Sequence, residues 1–354
     1  MKSNYDLLGN HIRLIDNRNK DLVTEQVLGI NIDKFFMPSV ANVIGTDLSK
    51  YKLIQKGNFA CNPMHVGRDE RLPVALYSED TPAIVSPAYF MFEIKDTTVL
   101  NADFLMMWFR RPEFDRICWL HTDGSVRGGI TWDDICRMEI PVPPIDEQIE
   151  IVNSYQAITE RIKLKKQIND NLEATAFAIY KETFITQNSS DWSKGTLSDL
   201  LTVKYGKDHK HLADGAIPLY GSGGIMRYVE KALYDKVSVL IPRKGTLSNV
   251  IYVDEPFWSV DTMFYTEIAK PYAAKFIYYF VKSKDLAGMD TGSAVPSMSS
   301  EIIHSMQLSI PDDDTLISFD NRLCPLYKQI KANNQECAKL KDLQDVLLTT
   351  ISNR

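Results

Sequence analysis

The chain has 354 residues, of which 44% are hydrophobic and 24% charged, and its formal net charge is −6. That length accommodates two or three domains with cores of their own, and the composition is that of a soluble globular protein. No apolar run reaches signal-peptide or membrane-spanning length, and the acidic balance counts against a DNA-binding protein that acts alone.

Residues 1–145 carry 16 basic and 19 acidic side chains. Between Lys56 and Ile94, apolar β-formers punctuated by Gly, Pro and Asp predict short strands and loops. Asn101 to Cys118 predicts one amphipathic helix with Phe104, Leu105, Trp108 and Phe109 on its apolar side. A Gly-Ser loop at Gly124-Ser125 follows, then a strand that ends at Pro141, Pro143 and Pro144.

Residues 146–187 predict a long helix, begun by prolines and by acidic Asp146 and Glu147 that suit a helix N-terminus. Its seam steps by four and three through Ile151, Tyr155, Ile158, Ile162, Lys165, Asn169, Leu172, Ala176, Ile179 and Thr183. This is the 3.5-residue period of a coiled-coil face.

Residues 188–313 repeat the order of the first half. Strand-forming segments run from Asp235 to Ile268, and a helix with Ala273, Phe276, Tyr279 and Phe280 on one face lies within Lys270–Met289. A Gly292-Ser293 loop and a strand ending at Pro311 come next. Pro63 is expected to correspond to Pro242, and Ser86–Phe90 to Val260–Phe264. Residues 314–354 predict a second long helix, with Phe319, Leu323, Leu326, Ile330, Asn333, Cys337, Leu340, Gln344, Leu347 and Ile351 on its seam. Pro325 either starts or kinks that helix.

From Thr122 and Asp290 onward the two halves align without gaps at an offset of 168: Ile135 meets Ile303, Met138 meets Met306, Ile140 meets Leu308 and Pro143 meets Pro311. The seams share the same phase, so the helices, each roughly 60 Å long at ~1.5 Å per residue, are expected to pack on each other antiparallel. The competing reading docks each helix on its own domain. The predicted fold class is α+β: two globular domains, each followed by a long helix.

The chain resembles the specificity subunits of type I restriction-modification systems. In the first half the resemblance rests on Asn62–Gly67, Ile84–Tyr89 and Ile140–Gln148, and in the second on Leu219–Gly224, Leu240–Thr246 and Phe257–Thr262. One departure stands out: Pro311-Asp312-Asp313-Asp314 replaces the expected Pro-Pro-Ile-Asp-Glu-Gln exit. The resemblance implies two target-recognition domains, each reading one half of a split asymmetric double-stranded DNA target, with the helices as a ruler between them. It further implies two adenine-methylating modification subunits and two motor-nuclease subunits. The chain itself would hold no cofactor; its partners would use S-adenosylmethionine, ATP and Mg2+. Half-sites about one DNA turn apart, ~34 Å, would suit two readers on a rigid spacer. A coiled-coil scaffold carrying two protein-binding domains is the alternative.

Candidate DNA contacts follow, each beside a plainer role. Arg68 and Arg71, with Asn62, Met64 and His65 before them, suit either a fork onto a guanine edge or solvated loop charge. Arg127 sits among glycines that permit close backbone approach. Arg243 and Lys244 form a tight basic pair, with Thr246, Ser248 and Asn249 beside them. Tyr220 and Ser222 open a glycine loop that is either a phosphate cradle or a tight turn. Lys207 and Lys210, with His209 and His211, suit phosphate contact or a solvated loop.

Catalytic readings find little support. Asn62-Pro63-Met64-His65 lacks the second proline and the aromatic of an amino-methyltransferase motif. Lys244-Gly245-Thr246 lacks the order of a phosphate-binding loop. His121, Asp123 and Ser125 suggest no base-and-orienter pair, and the histidines lack partners at metal-ligand spacing. Five scattered cysteines without a CxxC pair fit reduced thiols in a cytoplasmic protein.

Overall fold

The computed structural model describes residues 4–41, 43–64, 66–122, 128–186, 191–289 and 297–351. The chain divides into two compact units, Met1–Leu164 with Glu336–Arg354, and Lys165–Gln335.

The first unit contains strands β1 (Tyr5–Leu7), β2 (Ile12–Leu14), β3 (Val27–Ile30), β4 (Phe36–Pro38), β5 (Lys52–Ile54), β6 (Phe59–Cys61), β7 (Val74–Leu76), β8 (Ala83–Val85), β9 (Phe90–Ile94) and β10 (Glu139–Pro141). One sheet has the order β2-β9-β6-β7, all antiparallel. A second has the order β4-β3-β8-β5, with β3 parallel to β8. β1 pairs with β10 in a separate ribbon. The helices are α1 (Leu8–His11), α2 (Val66–Asp69), α3 (Ala102–Phe109), α4 (Pro112–Leu120), α5 (Trp132–Cys136) and the first part of α6 (Ile145–Lys181).

The second unit contains β11 (Ser193–Thr196), β12 (Leu201–Tyr205), β13 (Asp214–Gly221), β14 (Gly224–Val229), β15 (Ser238–Pro242), β16 (Ile251–Val253), β17 (Trp258–Ser259), β18 (Met263–Ile268) and β19 (Gln307–Ile310), with α7 (Ala274–Lys282), α8 (Ser300–His304) and most of α9 (Asp313–Thr350). Its sheet β12-β18-β15-β16 repeats β2-β9-β6-β7. Its sheet β14-β13-β17, with β13 parallel to β17, repeats β4-β3-β8 without the β5 edge. The ribbon β11-β19 repeats β1-β10.

The repeat seen in the sequence is carried into element boundaries. Helix α8 begins and ends at the same offset from α5, Ser300 answering Trp132 and His304 answering Cys136, and α9 begins at that offset from α6. The caps repeat as well. Thr131 accepts a hydrogen bond from the Asp134 amide at the start of α5, and Ser299 accepts one from Ile302 at the start of α8.

Two sequence expectations change. Asn101–Cys118 is two helices, because Pro112 lacks an amide hydrogen and takes the first position of α4. All of Phe104–Phe109 is buried, so α3 is wrapped by core on every side of that stretch. Helix α9 is one element that starts at Asp313 and carries Pro325 inside it, on its exposed side. The atypical exit Pro311-Asp312 is a cap: the Asp312 carboxylate accepts from the Thr315 amide at 2.8 Å and from its hydroxyl at 3.0 Å. Those bonds, the amide first, hold the Asp312 carboxyl below its ordinary range.

Every seam position named above on α6 and α9 is buried or half-buried. In the first unit, the Gln344 amide donates to the Thr159 hydroxyl at 2.7 Å and Arg161 donates to Glu336 at 2.6 Å. In the second, Lys165 donates to Asn333 at 3.1 Å and Asn169 to Asn334 at 2.8 Å. In the first unit the partner number falls as the α6 number rises, and in the second it falls from Asn333 at Lys165 to Phe319 at Tyr180, so the contacts within each unit are antiparallel.

Candidate nucleic-acid interface

In the second unit the candidate residues converge where β12, β13, β15 and β18 release their loops. A Cβ at Gly206 would lie 2.0 Å from the Val260 carbonyl oxygen, so only glycine lets the chain turn there from Tyr205 to Lys207. The Lys207 amide donates to Ser259 at 2.8 Å, and its carbonyl accepts from the Trp258 indole at 3.1 Å. Arg243 is held on both sides of its backbone: its amide donates to Thr262 at 2.8 Å and its carbonyl accepts from Met298 at 2.9 Å. Its guanidinium lies 5.3 Å from the Tyr205 ring centroid, and Nη1 donates to the Asp261 carbonyl at 3.1 Å.

The glycine loop meets this group. Asn249 donates to the Ser222 carbonyl at 2.9 Å, and Gly245, at φ +86°, lies so close that a Cβ there would sit 3.0 Å from the Ser222 hydroxyl. Lys244, Thr246 and Ser248 are exposed on the same loop. Lys207, Lys210, Arg243 and Lys244 have no carboxylate at ion-pair distance among the described residues. Lys210 is exposed on the adjoining loop, which Arg227 ties down by donating to the His209 carbonyl at 2.9 Å.

Tyr220 stands apart from this surface. It is 8% exposed, packs edge-on to Phe257, and burial pushes its phenol up to about 12. It is a core residue of the second unit. Tyr205, by contrast, was missed in the sequence. It closes an otherwise alternating strand, LTVKY, and half of it is exposed.

In the first unit, Asn62 accepts from the Met64 amide at 3.1 Å in a tight side-chain-capped turn, and Met64 is exposed. Ile130 donates to the Pro63 carbonyl at 3.1 Å and Gly67 to that of Gly128 at 3.0 Å. Arg68 forks onto Asp69 at 2.6 and 2.8 Å, and Arg71 pairs with Asp33 at 3.1 Å. Both of these arginines are therefore already engaged with carboxylates, unlike Lys207, Lys210, Arg243 and Lys244 of the second unit. His65 and Arg127 lie outside the described residues, as do both Gly-Ser pairs, Gly124-Ser125 and Gly292-Ser293.

The loop frames are equivalent at the level of backbone bonds. β6 and β9 place Cys61 opposite Phe90, and β15 and β18 place Ile241 opposite Phe264. The Ile130–Pro63 bond recurs as Met298–Arg243, the two donors again standing at the repeat offset. Pro63 therefore corresponds to Arg243, the position just after the Pro242 expected from sequence. A loose proline match misplaces the register by one because the two strands end differently.

No group of three His, Cys, Asp or Glu that could hold a metal occurs among the described residues. No described helix is long and apolar enough to cross a membrane.

Residues 189–341 match the family model described as the type I restriction modification DNA specificity domain. Through this stretch, less than half of its length, the chain is similar to the type I restriction-modification specificity family. It is also 23% identical over 276 residues to the type I restriction enzyme MjaIX specificity subunit of Methanocaldococcus jannaschii. That match covers 63% of this chain and 63% of the curated relative's length. Among solved structures, the S subunit of the type I restriction-modification system from M. genitalium covers 98% of this chain and 95% of its own, with a TM-score of 0.59 at 16% identity. At that identity the likeness is one of fold, and it extends over both units, including residues 1–164 of the first, which lie outside the family match. The matched specificity domain contains all the loop residues gathered around Arg243 and Ser222.

Proposed function

We propose that this chain is the DNA-reading subunit of a type I restriction-modification complex. It recognises a bipartite, asymmetric double-stranded target and directs adenine methylation and restriction by partner subunits. The observation that carries this reading is the repeated loop frame. A specificity domain and a second unit of the same topology present equivalent loops with different side chains, Pro63 in one and Arg243 in the other. Two readers on one frame with unlike contact residues suit two unlike half-sites.

The chain is non-catalytic in this reading. Two adenine methyltransferase subunits and two motor-nuclease subunits supply the chemistry, with S-adenosylmethionine, ATP and Mg2+ bound by them. The antiparallel contacts between α6 and α9 support a coiled-coil spacer that sets the gap between half-sites. Ile149 on α6 and Ile317 on α9, 41% and 40% exposed, occupy equivalent positions of the repeat. Equivalent exposed apolar points on the two halves suit two copies of one partner. The acidic net charge fits a subunit whose partners share the phosphate contacts, working in the cytoplasm where the DNA is.

The test is adenine-methylation sequencing of cells with and without this gene. Loss of methylation at a single bipartite motif is the expected result. An unchanged methylome, with the partner subunits expressed, would overturn the reading.

A further inference from the structure

The two loop frames share their backbone bonds and differ in the side chain placed on them. Pro63 offers no donor, whereas Arg243 offers a guanidinium whose position is fixed three ways. Its backbone is bonded on both sides, to Thr262 and Met298. The guanidinium lies over the ring of Tyr205, which is itself 51% exposed. One Nη1 hydrogen is given to the Asp261 carbonyl. Nε, Nη2 and the second Nη1 hydrogen have no hydrogen-bond partner among the described residues, and no described carboxylate competes for them. The side chain is half-buried, so much of the entropy of ordering it has been lost before any ligand arrives.

A preorganised guanidinium with two adjacent nitrogens available matches the paired O6 and N7 acceptors that guanine presents in the major groove. Lys244, next to it and exposed, has no such fork and suits a phosphate, which a point charge satisfies. We propose that Arg243 is a specificity-determining residue that reads one guanine of the half-site assigned to the second unit. Tyr205 acts as its positioning residue and Lys244 as a neighbouring phosphate contact. This inference rests on the DNA-reading function proposed above and adds a base identity to it.

The experiment replaces the chromosomal gene with Arg243→Gln, Arg243→Lys, Lys244→Ala and Tyr205→Phe alleles and maps adenine methylation genome-wide, with chain abundance measured in each strain. The unaltered chain is expected to give a motif with an invariant guanine in one half-site. Arg243→Gln should lower modification of that motif by about 10- to 100-fold and relax that one position, or move it to adenine, with every other position kept. Arg243→Lys should do the same, because charge without the fork does not restore the pair of hydrogen bonds. Tyr205→Phe keeps the aromatic face and should keep the guanine. Lys244→Ala should weaken modification evenly with the motif unchanged.

A motif and a modification level unaffected by Arg243→Gln would overturn the proposal. So would full rescue by Arg243→Lys, which would mark a phosphate contact, or an even loss with no relaxed position at normal chain abundance. If the unaltered gene directs no motif at all, the DNA-reading function falls and this inference falls with it, an outcome distinct from the other three.

Discussion

Asn333 donates from Nδ2 to Asn169 Oδ1 at 2.7 Å, and its own Oδ1 accepts from Lys165 at 3.1 Å and Gln329 at 2.9 Å. Asn333 is fully buried, and Lys165 is its counterpart in the first copy of the repeat, so at mid-seam the two equivalent positions touch. A polar residue at such a position costs stability and selects one register and orientation. Asn333→Ala is expected to lose about 2 kcal/mol, since it leaves a void and strands the Asn169 acceptor. Asn333→Leu refills the volume and should lie within about 1 kcal/mol of the parent. Urea unfolding of the full chain separates the two. Register is read by cross-linking: Cys337 Sγ lies 4.0 Å from the Ile162 carbonyl, so Ile162→Cys should cross-link to it in the parent. In the Asn333→Leu background, Tyr155→Cys, one heptad away, should begin to cross-link as well. Confinement to position 162 in both backgrounds would remove Asn333 from register control.

Gln148 shows what a motif can and cannot disclose. It is fully buried, donates to the carbonyls of Val99 at 2.9 Å and Pro143 at 2.7 Å, and accepts from the Asn101 amide at 2.9 Å. It thereby ties the start of α6 to the cap of α3. Its counterpart in the second copy of the repeat is Leu316, also buried, where Asp312 does the capping instead. Gln148→Leu, the substitution the repeat itself has made, should destabilise the first unit by about 3 kcal/mol, because three backbone groups lose their partner. A melting curve of the full chain checks this, and a change under about 1 kcal/mol would mean that water replaces the amide.

The exit motif and the heptads were legible in sequence because each is local: neighbouring residues on one helix face carry the whole signal. The seam positions come out buried or half-buried even where they are Lys165, Asn169 or Thr183. What Gln148 grips was not legible, since Val99 and Asn101 lie far earlier in the chain, before α3 and α4. Tyr205 and Arg243 belong to β12 and to the loop after β15, strands that β18 separates in the sheet, and no pattern in either segment names the other. Tyr220 misled for the opposite reason. The glycines after it mark a turn, but β13 is buried on both faces from Pro218 to Gly221, so the ring lies in the core whichever way it points.

Lys34 has φ +68° and is buried beside Asp115, to which it donates at 2.8 Å; it also donates to the Phe109 carbonyl. Asp115 accepts in addition from the Leu72 amide at 3.1 Å. Breaking such a pair by Lys34→Met should cost about 3–5 kcal/mol, and Lys34→Met with Asp115→Leu should recover most of it. Burial holds the Lys34 ammonium below its ordinary value of 10.5, against the opposing pull of Asp115. Between the depressed value and 10.5 the unfolded chain binds a proton that the folded chain has released, so this lysine makes stability rise with pH across that window. Below the window the charge is present in both states and the penalty is complete. The pH dependence of unfolding should therefore be steeper upward in the parent than in the double variant on approach to about pH 10. Parallel curves would show that Lys34 keeps its charge in both states.

The helix pairing also dictates how the proposed spacer must be lengthened. Thr159 meets Gln344 and Arg161 meets Glu336 in the first unit, while Lys165 meets Asn333 in the second. One heptad added to α6 alone, within 160–175, would have no partners on α9 and would bulge or shift the seam. Matched insertions of one heptad in both helices, after Leu164 and after Gln335, keep the contacts named above within each unit and add about 10 Å of helix at ~1.5 Å per residue. At ~3.4 Å per base step, the methylated motif should then gain about three base pairs in its gap, with both half-sites unchanged. The single insertion should instead abolish or greatly reduce modification. Methylome sequencing reads both outcomes. An active double insertion that leaves the gap unaltered would mean that the helix pair does not set the spacing.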